Sequence, residues 1–253
     1  MLIILSPAKT IDMSVTPITD YSIPEHLSKA QMLINELKGK STKELSTLMN
    51  ISPKLAQLNF ERFQQWQIPF TLKNALQAIF AFKGEVFHGL DAESLRHDDL
   101  QFAHNHLVIL NGLYGTLRAL DLIRPYRLEM GNKAVFASHK NLYDYWKETV
   151  TLCLRSALDK QNDNILINLA SNEYFKSINT KKLGASIITP EFKENRNGIY
   201  KIVTVYAKKA RGMMTRYIIQ NQISNPKDLK FFDTDGYYYN ETLSSENKYV
   251  FTR

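Results

Sequence analysis

Three short apolar runs constrain this chain more than any other feature. Leu2–Leu5 is closed by Ser6-Pro7, Leu107–Leu110 by Asn111-Gly112, and Ile165–Leu169 by Ser171-Asn172. Each is too short for a helix and stops at residues that favour turns, so each reads as a buried strand, Leu2–Leu5 as a central one. Helical patterns lie between them. Pro24-Glu25 opens one that ends at Gly39, and Ser41 or Thr42 caps the next. Thr71 caps a third, which the spacing of Leu72, Ala75, Leu76, Ile79 and Phe80 carries to Lys83-Gly84. Asn141 to about Leu158 is a long helix with an aliphatic and aromatic stripe. Ala185–Ile188 and Ile199–Tyr206 read as strands of a hairpin turning at Asn195-Arg-Asn-Gly198. Ala207 to about Gln222 reads as a basic helix, and Tyr237–Tyr239 and Tyr249–Phe251 as two short strands. The expected fold class is α/β in the mixed α+β sense, a single compact domain over residues 1–253 with short strands among helices.

Composition excludes several alternatives. The chain has 253 residues, of which 44% are hydrophobic, enough for a core that needs no staples. No apolar run approaches the roughly 18 residues of a membrane span, and the first residues lack the basic start and long apolar run of a signal peptide. A single cysteine, Cys153, rules out an intramolecular disulfide. It lies on an apolar stripe and reads as an inert core thiol in a cytoplasmic protein.

The net charge is +7, and its distribution is uneven. Residues 176 to 230 carry twelve Lys and Arg against three Asp and Glu, a local +9 that leaves −2 for the rest of the chain. One segment therefore reads as the wall of an anion-binding cleft.

Several motifs sit where chemistry is expected. Leu48-Met-Asn-Ile-Ser-Pro-Lys-Leu-Ala-Gln-Leu58 resembles a helix-hairpin-helix, in which backbone N–H groups at the second helix's start hold a DNA phosphate. Its two hairpin glycines are replaced by Asn50 and Ser52, one tolerant of left-handed backbone and the other a good N-cap, and Lys54 faces the phosphate. Lys208, Lys209, Arg211 and Arg216 follow a strand, and the first of them fall in the expected first turn of a helix, where positive charge opposes the helix dipole and a bound anion would offset it. Loops after strands in α/β sheets carry sites, which marks Ser6 and Lys9, Asn111 with Arg118, Arg127 and Glu129, and Ser171 and Glu173. His104-Asn-His106 is the only close histidine pair, and no cysteine or carboxylate spacing completes a metal site around it. There is no P-loop, no Gly-x-Gly-x-x-Gly and no Gly-x-Ser-x-Gly.

Seven segments in order carry a wider resemblance. They are Met1–Thr10, Ala81-Phe-Lys-Gly84, Gly112-Leu-Tyr-Gly115, Arg124-Pro-Tyr-Arg-Leu-Glu-Met-Gly131, Asn168-Leu-Ala-Ser171, Glu173-Tyr-Phe-Lys-Ser177 and Tyr206-Ala-Lys-Lys-Ala-Arg-Gly212. Over nearly the whole chain they resemble the YaaA family of bacterial peroxide-stress proteins. The resemblance implies a cytoplasmic protein that responds to hydrogen peroxide, lowers free iron and limits oxidative damage to DNA and protein. It implies an α/β globule with a basic cleft, a helix-hairpin-helix element over residues 42 to 66, and double-stranded DNA as ligand. The expected phosphate contacts are Lys9, Asn50, Ser52, Lys54, Arg118, Arg127, Lys208, Lys209, Arg211 and Arg216. The alternative is an enzyme acting on a nucleotide or nucleic-acid base, with Lys9, Glu129, Ser171 and Glu173 as candidate catalytic groups. No metal, cofactor or membrane partner is expected, and the chain is expected to be a monomer.

Overall fold

A computed structural model describes residues 1–253 apart from 16, 17, 133, 135 and 137. The elements are, in chain order, β1 (Leu2–Leu5), β2 (Thr10–Ile11), α1 (Leu27–Lys38), α2 (Thr42–Met49), α3 (Pro53–Gln64), β3 (Leu76–Gln77), α4 (Ala78–Ala81), β4 (Phe82–Lys83) and α5 (Glu85–Leu90). There follow α6 (His97–His106), β5 (Leu107–Asn111), β6 (Gly115–Arg118), β7 (Leu122–Ile123), α7 (Leu142–Lys160), β8 (Ile165–Asn168), α8 (Asn172–Phe175) and α9 (Thr180–Leu183). The last are β9 (Ser186–Arg196), β10 (Ile199–Lys201), α10 (Thr204–Gln220), β11 (Tyr238–Tyr239) and β12 (Lys248–Thr252). The α/β class read from the sequence is the observed one.

The three apolar runs become neighbours. The main sheet has the order β11-β12-β9-β8-β1-β5-β6, with β10 paired to β9. From β12 to β5 the pairing is parallel, and the edges β6, β10 and β11 are antiparallel. β1 lies between β8 and β5, with Ile4 opposite both Asn168 and Val108. All four β1 residues are fully buried, which is why the run is unbroken rather than alternating. Each Leu or Ile buried there contributes about 1.5–3 kcal/mol relative to exposure. The chain enters β1, crosses to β5 on one side, then returns past it to β8 on the other. The carboxyl ends of β1 and β8 therefore form a topological switch point, where α/β sheets place their ligands.

Two sequence expectations fail locally. The helix expected from Thr71 to Lys83-Gly84 is instead a turn, in which Asn74 and Ala75 donate to the Thr71 carbonyl, followed by β3, the single-turn α4 and β4. Residues 75 to 82 are all buried, so their apolar spacing marks no exposed helix face. Gln77, wholly buried, donates its Nε2 to the carbonyls of Ile18 and Asp20, and β3 pairs with β7. Tertiary pairing overrides the helical pattern here. The strand expected over Ile199–Tyr206 stops at Lys201, and α10 begins at Thr204. Lys208 and Lys209 thus lie in its second turn, and the argument that they oppose the helix dipole in the first turn does not apply.

β9 spans eleven residues and β8 only four, so the end of β9 overhangs its neighbour and folds back as β10. The connection is a two-residue turn, Asn197-Gly198, with φ of 54° and 81°, the left-handed pair that a tight hairpin requires. Among the described residues β10 pairs only with β9, and Ile199 is 57% exposed.

Candidate nucleic-acid interface

The site begins at the switch point. Ser6, just past β1, accepts a hydrogen bond from the Ser171 N–H at 2.8 Å and donates to the Ser171 hydroxyl at 3.2 Å. The Leu169 N–H donates to the Ile4 carbonyl at 3.0 Å, so the two strand ends are tied together. At the end of β5, Asn111 is fully buried: its Oδ1 accepts from the N–H groups of Leu113 and Tyr114, and its Nδ2 donates to the Tyr126 hydroxyl. Burial pushes the Tyr126 and Tyr174 phenols far above their ordinary range, so both stay protonated. Asn111 is a scaffold for the turn.

Over these ends lies the loop Pro125–Asn132. Its Glu129 Oε1 accepts from Arg127 Nε at 3.1 Å, stands 3.0 Å from a second Arg127 nitrogen and 3.5 Å from Lys9 Nζ. The cluster carries one net positive charge. Lys9 is its open member, with a side chain 69% exposed against 19% for each partner. Glu173 holds the same loop from the far side, accepting the Gly131 N–H at 2.9 Å. The cavity between Lys9, Tyr126, Arg127, Glu129 and Tyr174 is only about 10 Å³.

The helical hairpin stands beside this loop. Ser41 and Glu44 cap α2 reciprocally. At its end Asn50 takes the left-handed conformation, φ 51°, while the Ile51 N–H donates to Ser46 O at 3.1 Å and the Ser46 hydroxyl donates to Ile51 O at 2.7 Å. Ser52 caps α3 by accepting the Leu55 N–H at 3.4 Å. The two substitutions for glycine therefore preserve a tight turn. In the first turn of α3, Pro53 has no N–H and Leu55 is taken by Ser52, which leaves the N–H and exposed side chain of Lys54. Between the helices runs a groove of about 350 Å³ lined by Lys43, Ser46, Thr47 and Gln57. Asn132 Nδ2 donates to the Leu48 carbonyl at 2.8 Å, joining the last turn of α2 to the loop that carries Arg127 and Glu129.

The basic helix α10 is seated on α5. A Cβ on Gly212 would stand 1.8 Å from the Val86 carbonyl oxygen, so only glycine allows this crossing. The start of α5 in turn touches the loop after β1, where a Cβ on Gly84 would lie 3.5 Å from the Cβ of Ala8, next to Lys9. Lys208 and Lys209 are exposed, Lys209 standing 3.9 Å from Asp235. Arg211 is half-buried near Glu191 with no hydrogen-bond partner among the described residues, and burial lowers its pKa. Arg216 is committed elsewhere: it donates to the Leu90 and Asp91 carbonyls at 3.0 and 2.7 Å and so finishes α5. Arg118 lies apart, 3.6 Å from Asp121 in a separate cavity.

The structure thus brings Lys9, Arg127, Glu129, Ser171 and Glu173 together at the strand ends, with Asn50, Ser52 and Lys54 joined to them through Asn132. Asn132 was missed by sequence reading, although it directly follows the Arg124–Gly131 segment. No described helix is long and apolar enough to cross a membrane. A family profile described as peroxide stress protein YaaA matches residues 1–243 of the chain.

Proposed function

The chain belongs to the peroxide stress protein YaaA family, and from that premise we propose that it binds double-stranded DNA through sequence-independent phosphate contacts and so limits peroxide damage to it. The observation that carries this reading is the Asn132–Leu48 hydrogen bond, which couples the helical hairpin to the cationic loop at the strand ends. Two kinds of phosphate donor then act as one surface: the Lys54 N–H and ammonium at a helix start, and the Lys9–Arg127 cluster. Lys208, Lys209 and Arg211 extend the positive field along α10. Arg118 and Arg216 are left out of the contact set, because their guanidinium groups already serve Asp121 and the α5 carbonyls.

The switch-point position supports a second reading, an enzyme acting on a nucleotide or base through Lys9, Glu129, Ser171 and Glu173. These groups are engaged with one another or with backbone, and the enclosed volume of about 10 Å³ is far below the roughly 300 Å³ of a small-molecule site. Contact from outside therefore fits better than enclosure.

Fluorescence anisotropy with a labelled duplex, repeated across salt concentrations, tests the proposal. Each neutralised phosphate contributes about −0.9 to the log–log slope. A binding constant insensitive to salt, or no binding, would remove the DNA reading. A thermal shift with free nucleotides but not with duplex would favour the enzyme.

A further inference from the structure

A second cavity, of about 460 Å³, opens against the other ends of the strands, where Leu2 begins β1 and Val108 lies near the start of β5. We propose that Glu25 and Cys153, on its wall, together with the adjacent His26, bind one divalent transition-metal ion of the zinc class. This inference is independent of DNA binding. One ligand atom from each of the three residues lies within 4.8 Å of the others. Cys153 Sγ is 3.7 Å from Glu25 Oε2. A tetrahedral ion with bonds of about 2.3 Å to sulfur and 2.0 Å to oxygen holds those two atoms about 3.5 Å apart, close to their separation here.

The histidine supplies a separate indication. His26 Nε2 is buried and has no hydrogen-bond partner among the described residues. Buried polar atoms are rarely left so, and an imidazole nitrogen beside a thiol and a carboxylate is a common metal donor. His26 stands at the N-cap of α1 and Cys153 within the long helix α7, so two of the ligands are carried by helices.

The surroundings complete the site. The Thr116 hydroxyl donates to Cys153 Sγ at 3.4 Å, the kind of outer contact that orients a thiolate ligand. Asp121, buried nearby, is occupied by the Ser22 hydroxyl and the Arg118 N–H, so it contributes field rather than a bond. Thiolate, carboxylate and neutral imidazole together carry two negative charges, which balance a divalent ion. Binding releases the thiol proton to solvent as the sulfur–metal bond forms. Three protein ligands and an open cavity leave the fourth position to water or an exogenous ligand.

Cobalt titration of the metal-stripped full chain under anaerobic conditions tests this directly. Cys153 is the only cysteine, so a thiolate-to-cobalt charge-transfer band has a single possible source. The expected result is such a band saturating at one equivalent, with visible bands of tetrahedral intensity, displaced by Zn²⁺. The band disappears in Cys153→Ser, and Thr116→Val weakens affinity by about tenfold. Absence of a sulfur band at one equivalent in the wild-type titration, or a band that persists in Cys153→Ser, refutes the proposal.

Discussion

Two regions of the main sheet have opposite chemistry. At the carboxyl ends of the parallel strands, two cations surround one carboxylate in almost no enclosed space, and the most exposed group is the Lys9 ammonium. Beside the edge strand β6, a thiol and a carboxylate line a cavity some hundreds of cubic ångströms in volume, with an imidazole next to them. The first arrangement presents charge outward and suits a large anion that need not enter. The second offers soft and borderline donors inward and suits a small cation. One sheet thus carries two ligand preferences at separate places.

The largest expected effect tests what the two regions share. Ile4 is fully buried in the central strand, so Ile4→Ala should cost about 2–5 kcal/mol in urea unfolding and weaken both sites together. A loss at one site alone would show that β1 does not support them jointly.

Arg127→Ala separates them. It should remove about one unit from the DNA salt slope and leave the cobalt spectrum unchanged. Any change in that spectrum would mean the two sites are coupled. Asn132→Ala sharpens the contrast within the DNA surface: it detaches the hairpin from the loop, so the subsequent Lys54→Ala change in binding should become smaller than in the parent protein. Equal effects in both backgrounds would show that the hydrogen bond does not unite the two donor groups.

The smallest effect is one of pH. Burial lowers the pKa of His104 and of His106 below the ordinary value of 6.5. The unfolded chain therefore takes up protons first as pH falls, and stability present above pH 6.5 is lost below it, through the folded pKa values. Denaturation midpoints between pH 7 and 5 should fall, and His104→Gln with His106→Gln should flatten that slope. An unaltered slope would remove these histidines as its source.

How much of this was legible in the sequence depended on how far the decisive partner lay along the chain. β1, β5 and β8 were readable because an apolar run and its closing turn are local. The αL cap at Asn50 and the Ser52 cap were readable for the same reason. The segment after Thr71 was misread because Gln77 answers to carbonyls 59 and 57 residues away, and all-round burial erases the difference between strand and helix periodicity. The Glu25–Cys153 contact spans 128 residues, so no ligand spacing could reveal it. The Lys9–Glu129 pair was legible only as two separate strand-end candidates.

The hairpin of β9 and β10 gives the local charge excess another meaning. β10 is a three-residue strand whose outer edge is unpaired among the described residues, with Ile199 and Tyr200 both exposed. Such an edge is a template for another chain to add to. Arg196, opposite Ile199 in the ladder, and Lys201, at the strand's end, flank it with like charges that repel a second copy in the same register. Part of the positive charge therefore protects against aggregation rather than recognising a ligand, and neutralising both residues should shorten the time the protein stays dispersed at high concentration.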